Sequence, residues 1–325
     1  MKLATMQTMS FCRGEIPYVS MYRLTVHMRW TIRALLVAVA IIAAVLTIPR
    51  WRSFQQHFAA QKLHRRGISI VFAQHYPKQP VLQRVVFGDN AYDWVEAIKV
   101  EGEPLSNNDA RRLGMFPRLT ELMLYECPSA DTVLLNAAKM PSSLKVLHLE
   151  ASTITKDGLS CIANLRSIEN LRLLDLALTD GDLTALQELP NLRYLSLRGG
   201  CVNDNILREI AVCARIQGLG MRATNVTDDG LCSLQALRQL NDLTILDSPI
   251  TGTGLACLRE LRELESLTLD GCPITDDGLE AIKQIRTLKV VRFNSKMVTK
   301  DAIAALVKAL PKCVVGSPYY QNAGR

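Results

Sequence analysis

The chain has 325 residues, of which 48% are hydrophobic and only 6% aromatic, so it can bury a large core made mainly of Leu, Ile, Val and Ala. The formal net charge of +7 is unevenly placed: residues 1–66 hold ten of the 38 Lys and Arg and one of the 31 acids, leaving 28 bases against 30 acids, a balance of −2, beyond them. A nucleic-acid binder needs a basic face on its folded domain, and residues 67–325 have no positive excess to supply one, so no nucleic-acid partner is expected.

Residues 1–29 form a basic N-terminal tail. Residues 30–48 (WTIRALLVAVAIIAAVLTI) are almost wholly apolar. As a helix they would reach roughly 28 Å, close to the hydrocarbon thickness of a bilayer, and they predict a single transmembrane helix. Arg33 sits one turn from its end, where its long side chain can reach the interface. Trp30 and Trp51 flank the run as interfacial aromatics do, and Pro49 stops it. The competing reading is a cleaved signal peptide, but the small residues Ala38 and Ala40 lie inside the apolar run. Basic residues fall almost equally on both sides of the span, Arg13, Arg23, Arg29 and Arg33 before it and Arg50, Arg52, Lys62, Arg65 and Arg66 after it, so charge does not orient it. A start at Met21 or Met28 instead of Met1 would tilt the count; from Met28 it favours a cytoplasmic solenoid.

Residues 49–94 are expected to form a juxtamembrane helix and an N-terminal cap. The stretch 50–66 (RWRSFQQHFAAQKLHRR) reads as a basic, partly amphipathic helix. It is either a solvated linker or a contact with anionic headgroups, where each nearby cation contributes about 1 kcal/mol. Gly67 is placed to end it, and Ile68–Phe72 and Leu82–Phe87 read as strands that close the start of the next domain.

From residue 95 to 311 the sequence repeats itself with a period of 24. The pattern is Leu264-Glu-Ser-Leu267-Thr-Leu269, then Ile274-Thr-Asp-Asp-Gly-Leu279, then Ile282 and Ile285. The frame also opens at Leu144, Ile168, Leu192, Ile216, Leu240 and Leu288, with two weaker copies at Val95 and Leu119 and one inserted residue before Leu144, about nine repeats in all. Alternation in LxxLxL makes a short strand with its leucines inward. The Thr-Asp-Asp-Gly segment starts a helix, with Thr227 or Thr275 as cap and the acids near the positive end of the dipole. One repeat cannot bury its apolar face alone; a stack of them can. Residues 312–325 are expected to add a last edge strand near Cys313–Val315 and a tail.

This pattern resembles the leucine-rich-repeat superfamily, in particular its ribonuclease-inhibitor-like and cysteine-containing classes, and the N-terminal arrangement resembles that of bacterial membrane-anchored members. The resemblance implies an α/β right-handed solenoid, a horseshoe with parallel strands on the concave side and helices on the convex side. It also implies that Cys127, Ser152, Thr224, Ser248 and Cys272 bond the backbone of the turn after each strand. Glu103, Leu176, Gly200 and Lys296 depart from that column.

Function is not written in a catalytic motif. The sequence has no GxSxG elbow, no HExxH pair and no phosphate-binding glycine loop, and no enzyme activity, cofactor or small-molecule substrate is expected. The acids at 227–230 and 275–278 invite a calcium reading, but helix capping accounts for them and their period does not fit a calcium-binding repeat. None of the nine cysteines forms a CxxC pair or a metal spacing, and none clusters at an end. They read as small buried hydrophobes with reduced thiols, which again points to the cytoplasmic side. The concave strand positions are richer: Met123, Tyr125, His148, Glu150, Arg172, Leu174, Tyr194, Arg198 and Arg222 give way in later repeats to Asp242, Thr244, Thr268 and Asp270. Tyr and Arg are enriched at protein interfaces, so Met123, Tyr125, His148, Arg172, Tyr194, Arg198 and Arg222 are the expected partner-binding residues. The expectation is thus a membrane-anchored scaffold that binds another protein; the alternative is a self-associating structural protein of the cell envelope.

Overall fold

The computed structural model describes residues 34–37, 39, 55–56, 58–72 and 95–317. The N-terminal tail, most of the predicted span 30–48, the predicted strand 82–87 and the end of the tail from 318 lie outside the described residues. Residues 34–37 and 39 are helical and exposed. Among the described residues no helix is long and apolar enough to cross a membrane.

The repeat builds one sheet of eleven strands in sequence order. Nine of them recur with the sequence period: β2 (Val95–Glu101), β3 (Glu121–Tyr125), β4 (Val146–Glu150), β5 (Asn170–Leu174), β6 (Tyr194–Arg198), β7 (Gly218–Arg222), β8 (Asp242–Leu246), β9 (Ser266–Asp270) and β10 (Val290–Asn294). Each pairs in parallel with the next at in-phase positions; Leu122 meets Leu147, then Leu171, Leu195 and Leu219. β1 (Ser69–Phe72) precedes them antiparallel to β2, and β11 (Val314–Gly316) follows parallel to β10. Along each strand the burial alternates, as in β3, where Leu122 and Leu124 are buried and Glu121 is exposed. The inward leucines of all repeats join one continuous core, and each contributes about 2 kcal/mol through apolar burial.

The start of the stack is closed by the basic helix. Ala59, Ala60 and Leu63 are buried in the same core as the first repeats, Gln56 Nε2 donates to the Met115 carbonyl at 3.1 Å, and Arg66 pairs with Asp109. Gly67, at φ +80°, turns the chain out of the helix and into β1. One face of this helix is therefore a lid on the solenoid, while Phe58 is exposed with Lys62 Nζ 4.9 Å above its ring.

After every strand from β2 to β9 the next residue has positive φ: Gly102, Glu126, Ala151, Asp175, Gly199, Ala223, Asp247 and Gly271. Seven of these residues, all but Gly271, send their N–H to the last carbonyl of the following strand, at 2.8–3.2 Å; Glu126 to Glu150 and Ala223 to Leu246 are examples. The turn extends the ladder by one bond per repeat, and that bond holds a conformation L-residues otherwise avoid. The buried column one residue later carries the hydrogen bonds implied by the resemblance. Ser152 Oγ accepts from Cys127 N at 3.0 Å and donates to Leu124 O, and Thr224 and Ser248 hydroxyls meet at 2.9 Å. Cys272 Sγ reaches Ile245 O at 3.6 Å. In the ninth repeat Ser295 takes this role one residue before Lys296, donating to Ile274 O at 2.7 Å.

The opposite layer differs from the expected row of helices. It mixes short α-helices, from Asp228–Leu231 to Lys300–Ala309, with 3-10 segments, and the fourth and seventh repeats have only the latter, Thr184–Glu188 and Thr253–Glu260. The seventh repeat packs closely on its neighbours at its glycines. Gly252 and Gly254 stand where neighbouring repeats have Asp and Gly, and a Cβ on Gly254 would lie 2.1 Å from the Asp228 carbonyl oxygen.

Two sequence readings are corrected here. Cys232 and Cys257 are joined by a disulfide rather than being reduced thiols. Thr227 does not cap its helix, because its hydroxyl donates to Asp204 of the preceding repeat at 2.7 Å; Thr275 does cap, accepting from Gly278 N.

Candidate partner-binding face

The strand positions that point away from the core form a continuous face. Its middle row runs Lys99, Met123, His148, Arg172, Ser196, Gly220, Thr244 through consecutive strands. The row toward the strand ends runs Glu101, Tyr125, Glu150, Leu174, Arg198, Arg222. All seven residues expected from the sequence stand on this face, but they divide into three groups with different duties.

Tyr125, His148 and Arg198 belong to an internal polar chain. Tyr125 Oη lies 3.1 Å from His148 Nδ1 and the rings meet edge to face. Lys99 Nζ sits 4.9 Å above the Tyr125 ring and 2.6 Å from Glu101. His148 Nε2 is 3.1 Å from Glu150 Oε2 but without hydrogen-bond alignment. Arg198 closes the chain, its guanidinium 2.6 Å from Glu150 and its Nε 2.8 Å from Asp175. These bonds, to Asp175 first and Glu150 second, raise the Arg198 pKa and hold it charged. Burial lowers the His148 pKa below the usual histidine range; Arg172 and Arg198 push the same way against Glu150. His148, only 7% exposed, is a neutral floor of this chain rather than a free contact group. Met123 is a half-buried neighbour, with its sulfur 3.6 Å from Tyr125 Oη.

Arg172, Tyr194 and Arg222 are exposed. Arg172 makes no ion pair among the described residues. Arg198 and Arg222 are direct cross-strand neighbours, a pairing of like charges that costs energy unless something relieves it. Acids on opposite sides draw them apart: Arg198 leans back to Asp175 and Glu150, and Arg222 leans forward to Asp247 at 3.3 Å. Both aspartates sit at positive-φ turn positions, so the turn chemistry and the arrangement of the arginines are one device.

Beside the arginines the sheet is bare. Gly218 and Gly220 occupy two outward positions of β7, and the Tyr194 ring lies over Gly218, where a Cβ would come within 2.7 Å of Tyr194 Cδ1. The floor made by Ser196 and Gly220 is thus bordered by the half-exposed Tyr194 (47%) on one side and Arg198 and Arg222 on the other. Lys99, Asp175 and the two glycines were not among the residues expected from the sequence. Lys99 was in register in the weak first repeat, and Gly218 and Gly220 were readable as two side-chain-free positions in one outward column. Asp175 lies one residue outside the columns and gave no such signal.

Of the four acids that suggested calcium, Asp228 and Asp276 are occupied. Asp228 accepts from Thr251 N and Oγ1 and from Gly252 N and Gly254 N, at 2.6–3.0 Å. Asp276 accepts from Thr299 N and Oγ1, and Asp131 from Thr155 N. They stitch their own repeats to the following ones. No group of three or more His, Cys, Asp or Glu that could hold a metal occurs among the described residues.

Residues 261–283 match the family model described as leucine rich repeat, and this segment includes the most regular copy of a unit that the parallel ladder repeats nine times. The fold is a leucine-rich-repeat solenoid. No curated protein matches the chain. Solved structures similar to this chain include internalin C2 of Listeria monocytogenes, 21% identical, covering 62% of this chain and 82% of that one with a TM-score of 0.45. A second internalin of Listeria monocytogenes, inlF, is 19% identical over 65% and 71% of the two chains, TM-score 0.46. A leucine-rich-repeat protein of Leptospira interrogans is 15% identical over 63% and 68%, TM-score 0.36.

Proposed function

We propose that this protein is a single-pass, membrane-anchored interaction module, a scaffold whose residues 30–48 cross the bilayer and whose sheet face between β5 and β8 holds a protein partner. The observation that carries the binding reading is the bare floor at Ser196 and Gly220 bordered by exposed Tyr194, Arg172 and Arg222. Tyrosine and arginine contribute contact area and directed hydrogen bonds at interfaces, and a floor without side chains lets a partner's side chain or backbone approach the sheet. The unpaired Arg172 and the exposed Arg222 favour a partner segment that carries carboxylates. Anchoring confines the search to the membrane surface and raises effective concentration there. The reading contains no catalytic step.

The test is partner recovery with the full chain in detergent. Arg172→Ala, Tyr194→Ala and Arg222→Ala together should reduce recovery at least about tenfold, the effect of losing roughly 1.4 kcal/mol of binding, while leaving the circular dichroism spectrum intact. Arg198 stays in place in this variant, since removing it would leave Glu150 and Asp175 uncompensated and confuse folding with binding. Undiminished recovery from a folded triple variant sinks this face. Release of the chain from membranes by alkaline carbonate sinks the anchor.

A further inference from the structure

The cysteines fall into unlike groups. Cys127 and Cys272 fill turn positions and are buried, and burial pushes the Cys213 thiol up to about 11, so these are packing residues. Cys232 and Cys257 are different. They lie on the helix side of the sixth and seventh repeats, in the layer opposite the strands, with Cα atoms 5.0 Å apart and their sulfurs bonded. Cys232 is exposed and Cys257 half-buried. Core packing does not place a cysteine at either position. The residues one period away are Arg208 and Ala256 for Cys232, and Ser233 and Ala281 for Cys257. Cys161 stands in the column of Cys257, four repeats earlier, and is half-buried like it, but Leu135 occupies the place its partner would need; it remains a thiol.

We propose that Cys232 and Cys257 are a dedicated oxidation site, closed by exchange with an oxidised dithiol carrier, and that the solenoid lies on the non-cytoplasmic side of the membrane. Protein disulfides form and persist in oxidising compartments and are kept reduced in the cytosol. Exposure orders the exchange. The Cys232 thiolate attacks the carrier's disulfide, forming a mixed disulfide and releasing one carrier thiolate. The Cys257 thiolate then attacks the Cys232 sulfur and expels the second carrier thiolate. Two protein thiols become one disulfide, and their two protons and two electrons pass to the carrier, which leaves as its dithiol. The bond ties the sixth repeat to the seventh, whose outer segment is 3-10 throughout and where Asp228 is a second clamp. The oxidation site is independent of the anchor; only the side of the membrane rests on the anchoring proposal.

The tryptic map makes the test direct. Peptides 223–238, 239–259 and 157–166 carry one cysteine each, respectively Cys232, Cys257 and Cys161. Cells that make the full chain are lysed into N-ethylmaleimide, and the protein is denatured and digested without reduction. The expected result is 223–238 linked to 239–259, with 157–166 carrying one maleimide. Both Cys232 and Cys257 peptides recovered singly with maleimide overturns the proposal. Cys257→Ser should accumulate a mixed disulfide on Cys232 and Cys232→Ser should not; the reverse pattern overturns the order of attack. Linked peptides from a chain that carbonate strips from membranes uphold the oxidation site and sink only the anchor.

Discussion

The smallest structural decision in each repeat is the single residue after the strand. Five of the eight positive-φ turn residues are not glycine, and each bears a cost of about 1–2 kcal/mol that glycine would not. Asp175 and Asp247 offset it by anchoring Arg198 and Arg222. Ala223 has no such compensation: its side chain is exposed and its only contribution is the backbone bond to Leu246. Ala223→Gly should therefore stabilise the solenoid by about 0.5–1 kcal/mol, after the entropy glycine loses on folding is subtracted. A rise in the urea midpoint is the expected result; a fall would mean that Ala223 is not strained. These positions were poorly legible in the sequence, since only Gly102, Gly199 and Gly271 advertise a left-handed turn. The buried column beside them was legible, because Cys, Ser and Thr recurring at one phase of an apolar repeat need a hydrogen-bonding reason to be there.

At the scale of the element, the strands were written plainly and the other layer was not. LxxLxL fixes inward and outward faces by alternation alone, so the outward columns could be read without coordinates. The Thr-Asp-Asp-Gly segment is ambiguous, because an acid in the first turn of a helix serves a cap, a metal or a neighbour equally well by sequence. Stacking decides in favour of the neighbour. Burial would raise the Asp228 pKa, but hydrogen bonds from Thr251, Gly254 and Gly252 outweigh it and hold the carboxyl below the usual range. A depressed folded-state pKa means the contribution to stability is full above the unfolded value of about 3.9 and is lost as pH falls through the lower, folded value. Asp228→Asn keeps the shape but presents an amide to a ring of donors. It should cost about 1–3 kcal/mol at pH 7, and the gap to the parent protein should close below about pH 4. A gap that stays constant down to pH 2 would show that the charge of Asp228 contributes nothing. The disulfide was legible in principle: two cysteines in the same half of consecutive repeats, separated by 25 residues against a period of 24, are neighbours on the stack.

For the whole molecule, the repeat architecture makes distance along the stack the governing variable. Apart from the Arg198–Glu150 pair, which reaches across one repeat, the strands pair only with their neighbours, so stability is mainly a chain of local terms rather than one global sum. The cap helix enters this chain at one end, with Leu63 fully buried against the first repeats. Leu63→Ala should cost about 2–5 kcal/mol locally by leaving a cavity. The loss should show as faster amide exchange in β1 to β3 and fade along the stack, leaving β9 and β10 unchanged. Equal loss of protection in every strand would mean that the eleven strands unfold as one unit and that the cap supports them all. If the effect is graded, the consequence for function is direct. The face around Tyr194 and Gly220 stands on the fifth and sixth repeats, with four repeats between it and the cap, so loosening the capped end should leave recovery of the proposed partner intact. The Asp228 clamp and the Cys232–Cys257 bond stand on the sixth and seventh repeats, whose strands β7 and β8 form and border that face. Those two links, rather than the cap, are then what keeps the proposed binding face in register.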